Sequence, residues 1–546
     1  MIRRLRLLRN PDLTLATLLD ELLSVAGDRL VSRELDDSGA ACQEARLSDL
    51  HGEVAAMSRF LVEEAGLRRG DRVAIWKTND PRSFRWFLAV IRAGGVAVPL
   101  NSLLSLAEVR AILSRSDAST LVTDAGLFES SIGSRGALPV KQWVQGADES
   151  PLAGFLRFAP GGPHLPPARV APSDTVAVFY SSGTEGLPKG AMLSSQALLA
   201  GRAMALFSAP LVRGGAMALV ALPWAHIMAV AVALYGLMAS VPACLMRRFE
   251  AGAAIAAIER HKISLVLGVP SMFIRLVNAA PARESLASVR AWVSASDFLP
   301  EVYRKRLLEY GALLGGPGRF RIGSVFINAY GMVELGGIAM FGVAAPFLPG
   351  GGEWCLPVSP FRVRVADAEG RPTPPGVTAE CQVAGPGVTG RYWGELPQAG
   401  ETACPTLSSL TADGWLRTGD LASRNRLGLV RITGRAKDVI KCSGYSVFAR
   451  EVEEALSSHP AVARCAVFGV PHPEKGEAPV AVVECRLNFR PSEAELLAWG
   501  QRHLAAYKAP RRVYLVEQGG LPQGVTEKVL KRVLRERYAG ESLRTS

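Results

Sequence analysis

The densest chemistry in the chain lies in Thr175-Val-Ala-Val-Phe-Tyr-Ser-Ser-Gly-Thr-Glu-Gly-Leu-Pro-Lys-Gly190, an apolar run that opens into a loop of glycines, hydroxyls and one lysine. Such a loop suits a polyphosphate. Gly183, Gly186 and Gly190 let backbone amides approach anionic oxygens, Ser181, Ser182 and Thr184 donate hydrogen bonds, and Lys189 adds positive charge. It is not a Walker loop, because Lys189 is preceded by Pro188 and followed by Gly190 where that motif needs Gly-Lys-Ser or Gly-Lys-Thr. Taken alone, a loop of this composition is as often a plain turn.

Five further segments follow in order: Leu222-Pro-Trp-Ala-His226, Phe326-Ile-Asn-Ala-Tyr-Gly-Met-Val-Glu334, Gly414-Trp-Leu-Arg-Thr-Gly-Asp420, Gly434-Arg-Ala-Lys-Asp-Val-Ile-Lys-Cys-Ser-Gly444 and Leu521-Pro-Gln-Gly-Val-Thr-Glu-Lys528. With the loop, they resemble the acyl-adenylate-forming superfamily, which includes acyl-CoA synthetases, peptide-synthetase adenylation domains and luciferases. The similarity runs from about Leu15 to Arg535. It implies ATP-dependent activation of a carboxylic acid as an acyl-adenylate, then transfer to a thiol, with ATP, Mg²⁺ and CoA as the small-molecule set.

In that chemistry a carboxylate attacks the α-phosphate of ATP, so two anions must be neutralised and aligned. The resemblance gives the leading cationic role to Lys528, reaching carboxylate and α-phosphate during adenylation, and gives Mg²⁺ to Glu334 with Thr184. It offers Tyr330 to adenine, Asp420 to the ribose hydroxyls, and Arg435 to ribose and phosphate. His226 falls at the wall between acyl pocket and thiol tunnel, with Met228, Val269, Met332 and the Ser294-Ala-Ser-Asp297 turn as further lining. Lys437 falls at the family's hinge. Rotation there is expected to bring Lys441, Ser443 and Gly444 to the site for thioester formation while Lys528 leaves.

Four positions depart from the family pattern. Glu185 replaces a small hydroxyl residue, Val333 replaces Thr before Glu334, Glu527 replaces Gly before Lys528, and Ala295 replaces Gly in the acyl-pocket turn. Together these raise slow turnover, an unusual acid, or loss of one half-reaction, and Glu185, Val333 and Glu527 motivate a competing reading as a nucleotide-binding regulatory or structural protein. Another alternative is an enzyme that loads a separate carrier protein. The leading expectation is a ligase of a hydrophobic acid, a fatty acid first and an aryl acid next; Gly444-Tyr-Ser-Val-Phe-Ala-Arg-Glu-Val-Glu453 resembles fatty acyl-CoA ligases more than amino-acid-activating domains.

The elements that must hold these residues follow from hydrophobic periodicity. Helices are expected over 48–65, 83–93 and 108–114, and strands over 72–76, 96–99 and 120–123. That α/β order predicts parallel-rich sheets wrapped by helices in a large domain of residues 1–436. Residues 145–173, rich in Gly, Pro and Ala, read as a linker or long loop. A small mobile α+β domain of residues 437–546 is expected to carry helices over 452–457 and 493–505 and strands over 462–470 and 480–485. Residues 227–246 carry no charge over a span long enough for a bilayer. Gly236, Ser240 and Pro242 interrupt them, so they read as buried core.

The chain has 546 residues, 49% of them hydrophobic and 21% charged, which places it among globular proteins of more than one domain. A formal charge of +12 suits anionic ligands without choosing among them. The basic residues are dispersed, which disfavours nucleic acid. Eight scattered cysteines without metal spacing predict reduced thiols and a cytoplasmic setting. The basic N-terminus lacks the apolar run of a secretory signal. Membrane contact through it is an open but unexpected outcome.

Overall fold

A computed structural model describes residues 7, 9–147, 149–181, 189–203, 215–314, 322–346, 348, 352–393, 409–473, 475–487, 489–524 and 528–538. The N-terminal part alternates as the hydrophobic pattern requires: α1 (Leu47–Glu63), β1 (Arg72–Trp76), α2 (Arg82–Arg92), β2 (Val96–Leu100), α3 (Leu106–Ser116) and β3 (Thr120–Val122). β1 pairs in parallel with both β2 and β3, with Val73 opposite Ala97 and Thr120. Every residue of β2 and β3 is buried, as expected for a central sheet covered on both faces. After the strand Gln142–Gln145, the described residues up to 174 are loop apart from a two-residue strand, Leu156–Arg157.

β4 (Thr175–Ser181) joins this sheet beside β2 and pairs antiparallel with β5 (Lys189–Ser194). Ser181 therefore faces Lys189 across the neck of the phosphate loop. A methyl group on Gly190 would lie 2.8 Å from the Tyr180 ring and 2.8 Å from Val178, so that neck admits no side chain. Ser182, Gly183, Thr184, Glu185 and Gly186 lie outside the described residues.

The uncharged stretch forms α4 (Ile227–Ala239), apolar on all sides and buried along most of its length. Ser240 takes the left-handed conformation at its C-terminus, and Pro242 follows before the strand Ala243–Leu245. Among the described residues no helix is long and apolar enough to cross a membrane. Leu7 and Leu13 are buried against the main core, so that part of the N-terminal segment is docked on the protein.

A second, 13-stranded sheet is parallel at its centre, where β6 (Ala291–Ala295) lies beside a later strand across α5 (Glu301–Tyr310). That strand is β7 (Val325–Met332), with Ala295 opposite Ala329. From β8 (Gly337–Ala344) onward the pairing turns antiparallel, which the alternating N-terminal pattern did not announce. β9 (Tyr392–Trp393) returns to the first sheet and pairs with β5. β10 (Leu416–Arg424) and β11 (Val430–Arg435) pair antiparallel, with Asp420 opposite Arg435.

The sheet changes across a single 3₁₀ turn, Ala436–Asp438. Beyond it a separate five-stranded sheet is built from β12 (Val439–Cys442), β13 (Tyr445–Phe448), β14 (Val462–His472), β15 (Gly476–Cys485) and a last strand, β16 (Arg512–Val516). Helices α6 (Ala449–Ser457), α7 (Glu493–His503) and α8 (Lys531–Tyr538) pack with it. The architecture is thus an α/β molecule with a large N-terminal and a smaller C-terminal domain.

Candidate active site

β7 and β10 supply the first pair of site residues. Their strands hold Tyr330 and Asp420 so that the phenol donates to Asp420 Oδ2 at 2.7 Å, while Arg435 Nε lies 3.3 Å from Asp420 Oδ1. Thr418 supports the turn from below: its hydroxyl donates to the Cys381 carbonyl and accepts from the Asp420 amide at 3.1 Å. Burial raises the Asp420 carboxyl above its ordinary range, opposed by Arg435 and the Tyr330 hydroxyl. Burial also pushes the Tyr330 phenol well up, so it stays a donor. β7 approaches β8 so closely that a methyl on Gly331 would meet the Gly337 carbonyl oxygen at 2.0 Å; only glycine fits between Tyr330 and Met332.

Glu334 follows in the 3₁₀ turn Val333–Leu335 and is 8% exposed. Its Oε1 accepts from the Tyr392 hydroxyl at 2.9 Å, and the Tyr392 ring carries Lys189 Nζ at 5.2 Å from its centroid. The carboxylate expected to hold Mg²⁺ and the lysine of the phosphate loop therefore share one aromatic support. The sequence reading missed Tyr392; its signal was the aromatic pair just after Gly385-Pro-Gly-Val-Thr-Gly390. Val333, one of the departures, packs its side chain on the main core, a use that an apolar residue serves better than threonine.

His226 caps the N-terminus of α4, where Nδ1 accepts the Met228 amide at 3.1 Å. Accepting there places the ring proton on Nε2, which points at Ser296 Oγ 3.5 Å away. Burial, reinforced by Lys528, lowers the imidazole to about 4, so His226 is neutral at physiological pH. Met228, Val269 and Ala295 belong to the same buried cluster, with Met332 packed against it. The turn differs from expectation in one respect. Ala295 is an ordinary buried strand residue, and the left-handed backbone falls instead on Ser296, with φ of 79°.

Lys528 reaches this cleft from the small domain. It is partly buried, and the charged groups acting on it are Asp297, Arg435 and Asp420. Burial lowers its ammonium from the ordinary lysine value, while the two carboxylates oppose the change. The sequence pattern makes Asp297 only pocket lining; the structure makes its carboxyl group a neighbour of Lys528. Lys441 and Gly444 are not brought to the cleft. Both are exposed on the β12–β13 hairpin, where Lys441 Nζ donates to Ser446 Oγ at 2.8 Å, and Ser443 is exposed beside them. Thr184, Gly183, Gly186, Ser182 and Glu527 lie outside the described residues, and of Ser181 only the backbone is described.

Two family models match the chain: "AMP-binding enzyme" over residues 43–393 and "AMP-binding enzyme C-terminal domain" over residues 451–528. The chain belongs to the AMP-binding enzyme family. It is an acid–thiol ligase that works through an acyl-adenylate. A feruloyl-CoA synthase from Amycolatopsis sp is 32% identical over 498 residues, covering 90% of this chain and 93% of that protein. A fatty acid–[acyl-carrier-protein] ligase, ScoC, from Streptomyces coeruleorubidus is 30% identical over 508 residues, covering 91% and 92%. Among solved structures, ATP-bound MatB from Rhodopseudomonas palustris superposes with a TM-score of 0.76 at 26% identity, covering 97% of this chain and 100% of that one.

Proposed function

We propose that the protein activates a hydrophobic carboxylic acid, a fatty acid first, with ATP, and passes the acyl group to CoA. The observation that carries this is the convergence of Lys528, Asp420, Arg435 and His226 on one cleft, each from a different element. Two unit charges 4 Å apart interact by about 4 kcal/mol near a protein surface, so an acid carboxylate approaching the α-phosphate needs a cation at the point of attack. Lys528 supplies it. Lys189, over the Tyr392 ring, faces the outer phosphates. Asp420 accepts from the ribose hydroxyls while Arg435 covers the ribose and phosphate, and Tyr330 presents its ring to adenine.

Glu334, with Thr184 of the phosphate loop, would hold Mg²⁺. A single buried carboxylate oriented by Tyr392 fits an ion that takes most of its oxygens from phosphates and water. Among the described residues no group of three or more His, Cys, Asp or Glu offers a site made of protein alone. Held by Glu334 and Thr184, Mg²⁺ would supply positive charge to offset the charge that develops on the leaving pyrophosphate.

His226 takes no proton in this scheme. Held neutral, it walls the acyl pocket together with Met228, Val269 and Met332, an apolar surface that favours a hydrocarbon acid. The ScoC likeness supports a fatty acid and the feruloyl-CoA synthase likeness an aryl one. After adenylation, rotation of residues 437–546 about Lys437 withdraws Lys528 and presents Lys441, Ser443 and Gly444 to the thiol. The exposure of that hairpin leaves it available for such a role. ScoC also supports a second reading, in which a separate carrier protein replaces CoA. The free state of all seven described cysteines supports a cytoplasmic setting.

The test is pyrophosphate release with ATP and Mg²⁺ across fatty, aryl and amino acids, each with and without CoA. Acid-dependent release stimulated by CoA is the expected outcome. Release that CoA leaves unchanged transfers the proposal to a carrier protein, and none with any acid overturns it in favour of nucleotide binding alone.

A further inference from the structure

The turn that follows β6 does more than line the acyl pocket. Ser296 faces His226, Asp297 acts on Lys528, and the next residue, Phe298, meets the small domain. The Phe298 ring carries the Arg450 guanidinium of α6 at 4.0 Å from its centroid and the Arg304 guanidinium of α5 at 5.0 Å. Arg450 is itself fixed, because Nη1 donates to the Ile432 carbonyl of β11 at 2.7 Å and Nε bonds Glu454 at 3.0 Å. One turn further on, the Tyr303 hydroxyl donates to the Ala463 carbonyl of β14 at 3.0 Å, and Arg486 lies over the Tyr303 ring at 5.2 Å. Tyr303 is 1% exposed. Residues 298–303 of the large domain thus grip α6 and β14 of the small one, a few residues from the groups that act on Lys528.

We propose that the Phe298–Arg450 cation–π contact and the Tyr303–Ala463 hydrogen bond form a latch that holds the small domain with Lys528 in the cleft, and so set how the enzyme divides its time between adenylate formation and thioester formation. These are positioning residues, and the half-reaction part of the argument rests on the proposed function. Every contact of the latch must break if the small domain rotates, because each joins a residue before Lys437 to one after it. The latch therefore favours the first half-reaction and opposes the second. Its position also ties it to the acyl pocket, since one peptide unit joins Phe298 to Asp297 and two join it to Ser296.

The test compares Phe298→Leu, which keeps bulk and removes the π face, with Tyr303→Phe and with Phe298→Trp, whose larger ring binds cations more strongly. Two rates are measured: pyrophosphate release in the first half-reaction, and thioester formation from preformed acyl-adenylate and CoA. A partly desolvated cation–π contact shifts an equilibrium by roughly two- to thirtyfold. The ratio of the first rate to the second is expected to fall within that range in Phe298→Leu and Tyr303→Phe, and to rise in Phe298→Trp. A lowered melting temperature with an unchanged ratio overturns the latch, since it leaves these contacts a merely stabilising role. Amide hydrogen exchange supplies a readout that needs no activity. Residues 298–304 and 461–467 are expected to lose protection together in Tyr303→Phe while the cores of both domains keep theirs. If the wild type releases no pyrophosphate with any acid, the proposed function fails, and the exchange result alone then decides the latch: joint loss supports it and unchanged protection overturns it.

Discussion

Replacing Tyr392 by Phe should raise the Mg²⁺ requirement of the first half-reaction by about ten- to hundredfold. The substitution removes one oxygen, the one that donates to Glu334 Oε1 at 2.9 Å, and leaves the ring that Lys189 overlies at 5.2 Å. A hydrogen bond to a charged group contributes about 1.5–3 kcal/mol, and loss of a group that orients a metal ligand weakens the metal about ten- to hundredfold, so two independent scales agree. Glu334 is 8% exposed, which leaves little water to substitute for the lost donor. The assay is a Mg²⁺ titration of pyrophosphate release at saturating ATP and acid. A displaced midpoint, with the wild-type rate recovered at high Mg²⁺ and the KM for the acid unchanged, is the expected outcome. An unchanged midpoint would refute the reasoning, whether or not the plateau rate fell, because Tyr392 would then not be orienting a metal ligand.

Replacing Lys528 by Ala should slow adenylation by about 10²–10³-fold, the typical effect of removing one group aimed at transition-state charge. Transfer from preformed acyl-adenylate to CoA should persist, and equal loss of both half-reactions would count against the assigned role. His226 should remain neutral down to about pH 4 when followed by NMR, because burial and Lys528 hold it there, against about 6.5 for a free imidazole. The unfolded chain binds more protons between those values, so the stability tied to neutral His226 is complete above pH 6.5 and is lost as the pH falls toward 4. A ring titrating near 6.5 in the folded protein would contradict this. Ser296→Gly should stabilise the protein against urea by about 1 kcal/mol, since a non-glycine residue in the left-handed region carries strain on that scale. No gain would mean that the Ser296 hydroxyl near His226 offsets the strain.

The sequence made local elements legible wherever hydrophobic period and turn chemistry agreed. The α1 and α2 helices and the β1 and β2 strands fall within one or two residues of expectation, because their burial is set by neighbours close in the chain. The end of α4 was legible for the same reason: Ser240 and Pro242 are local signals. The division of the described residues into sheets of 13, 8, 5 and 2 strands was not, since strand partners such as Tyr392–Trp393 and Lys189–Ser194 are far apart in sequence and no local pattern specifies them. The site shows the same split. Tyr330, Glu334, Asp420, Arg435 and Lys528 could be named from ordered motifs, and the structure places Tyr330, Asp420 and Arg435 in direct contact. Tyr392 and Asp297 matter only through what the fold lays beside them. The strain at Ser296, one residue beyond the position that departs from the family pattern, is a property of how β6 ends rather than of residue type.

Formation of a hydrophobic acyl-adenylate and delivery of its acyl group to CoA are the two steps proposed for this chain. The most direct measurement is a single-turnover reaction of purified protein with ATP, Mg²⁺ and fatty acids of graded length, resolved by mass spectrometry before and after CoA is added. The account predicts acyl-AMP before CoA, and its conversion to acyl-CoA with one AMP released per thioester afterwards. An acyl-AMP that persists unchanged in CoA would contradict the acceptor, and no acyl-AMP with any fatty or aryl acid would contradict the claim itself.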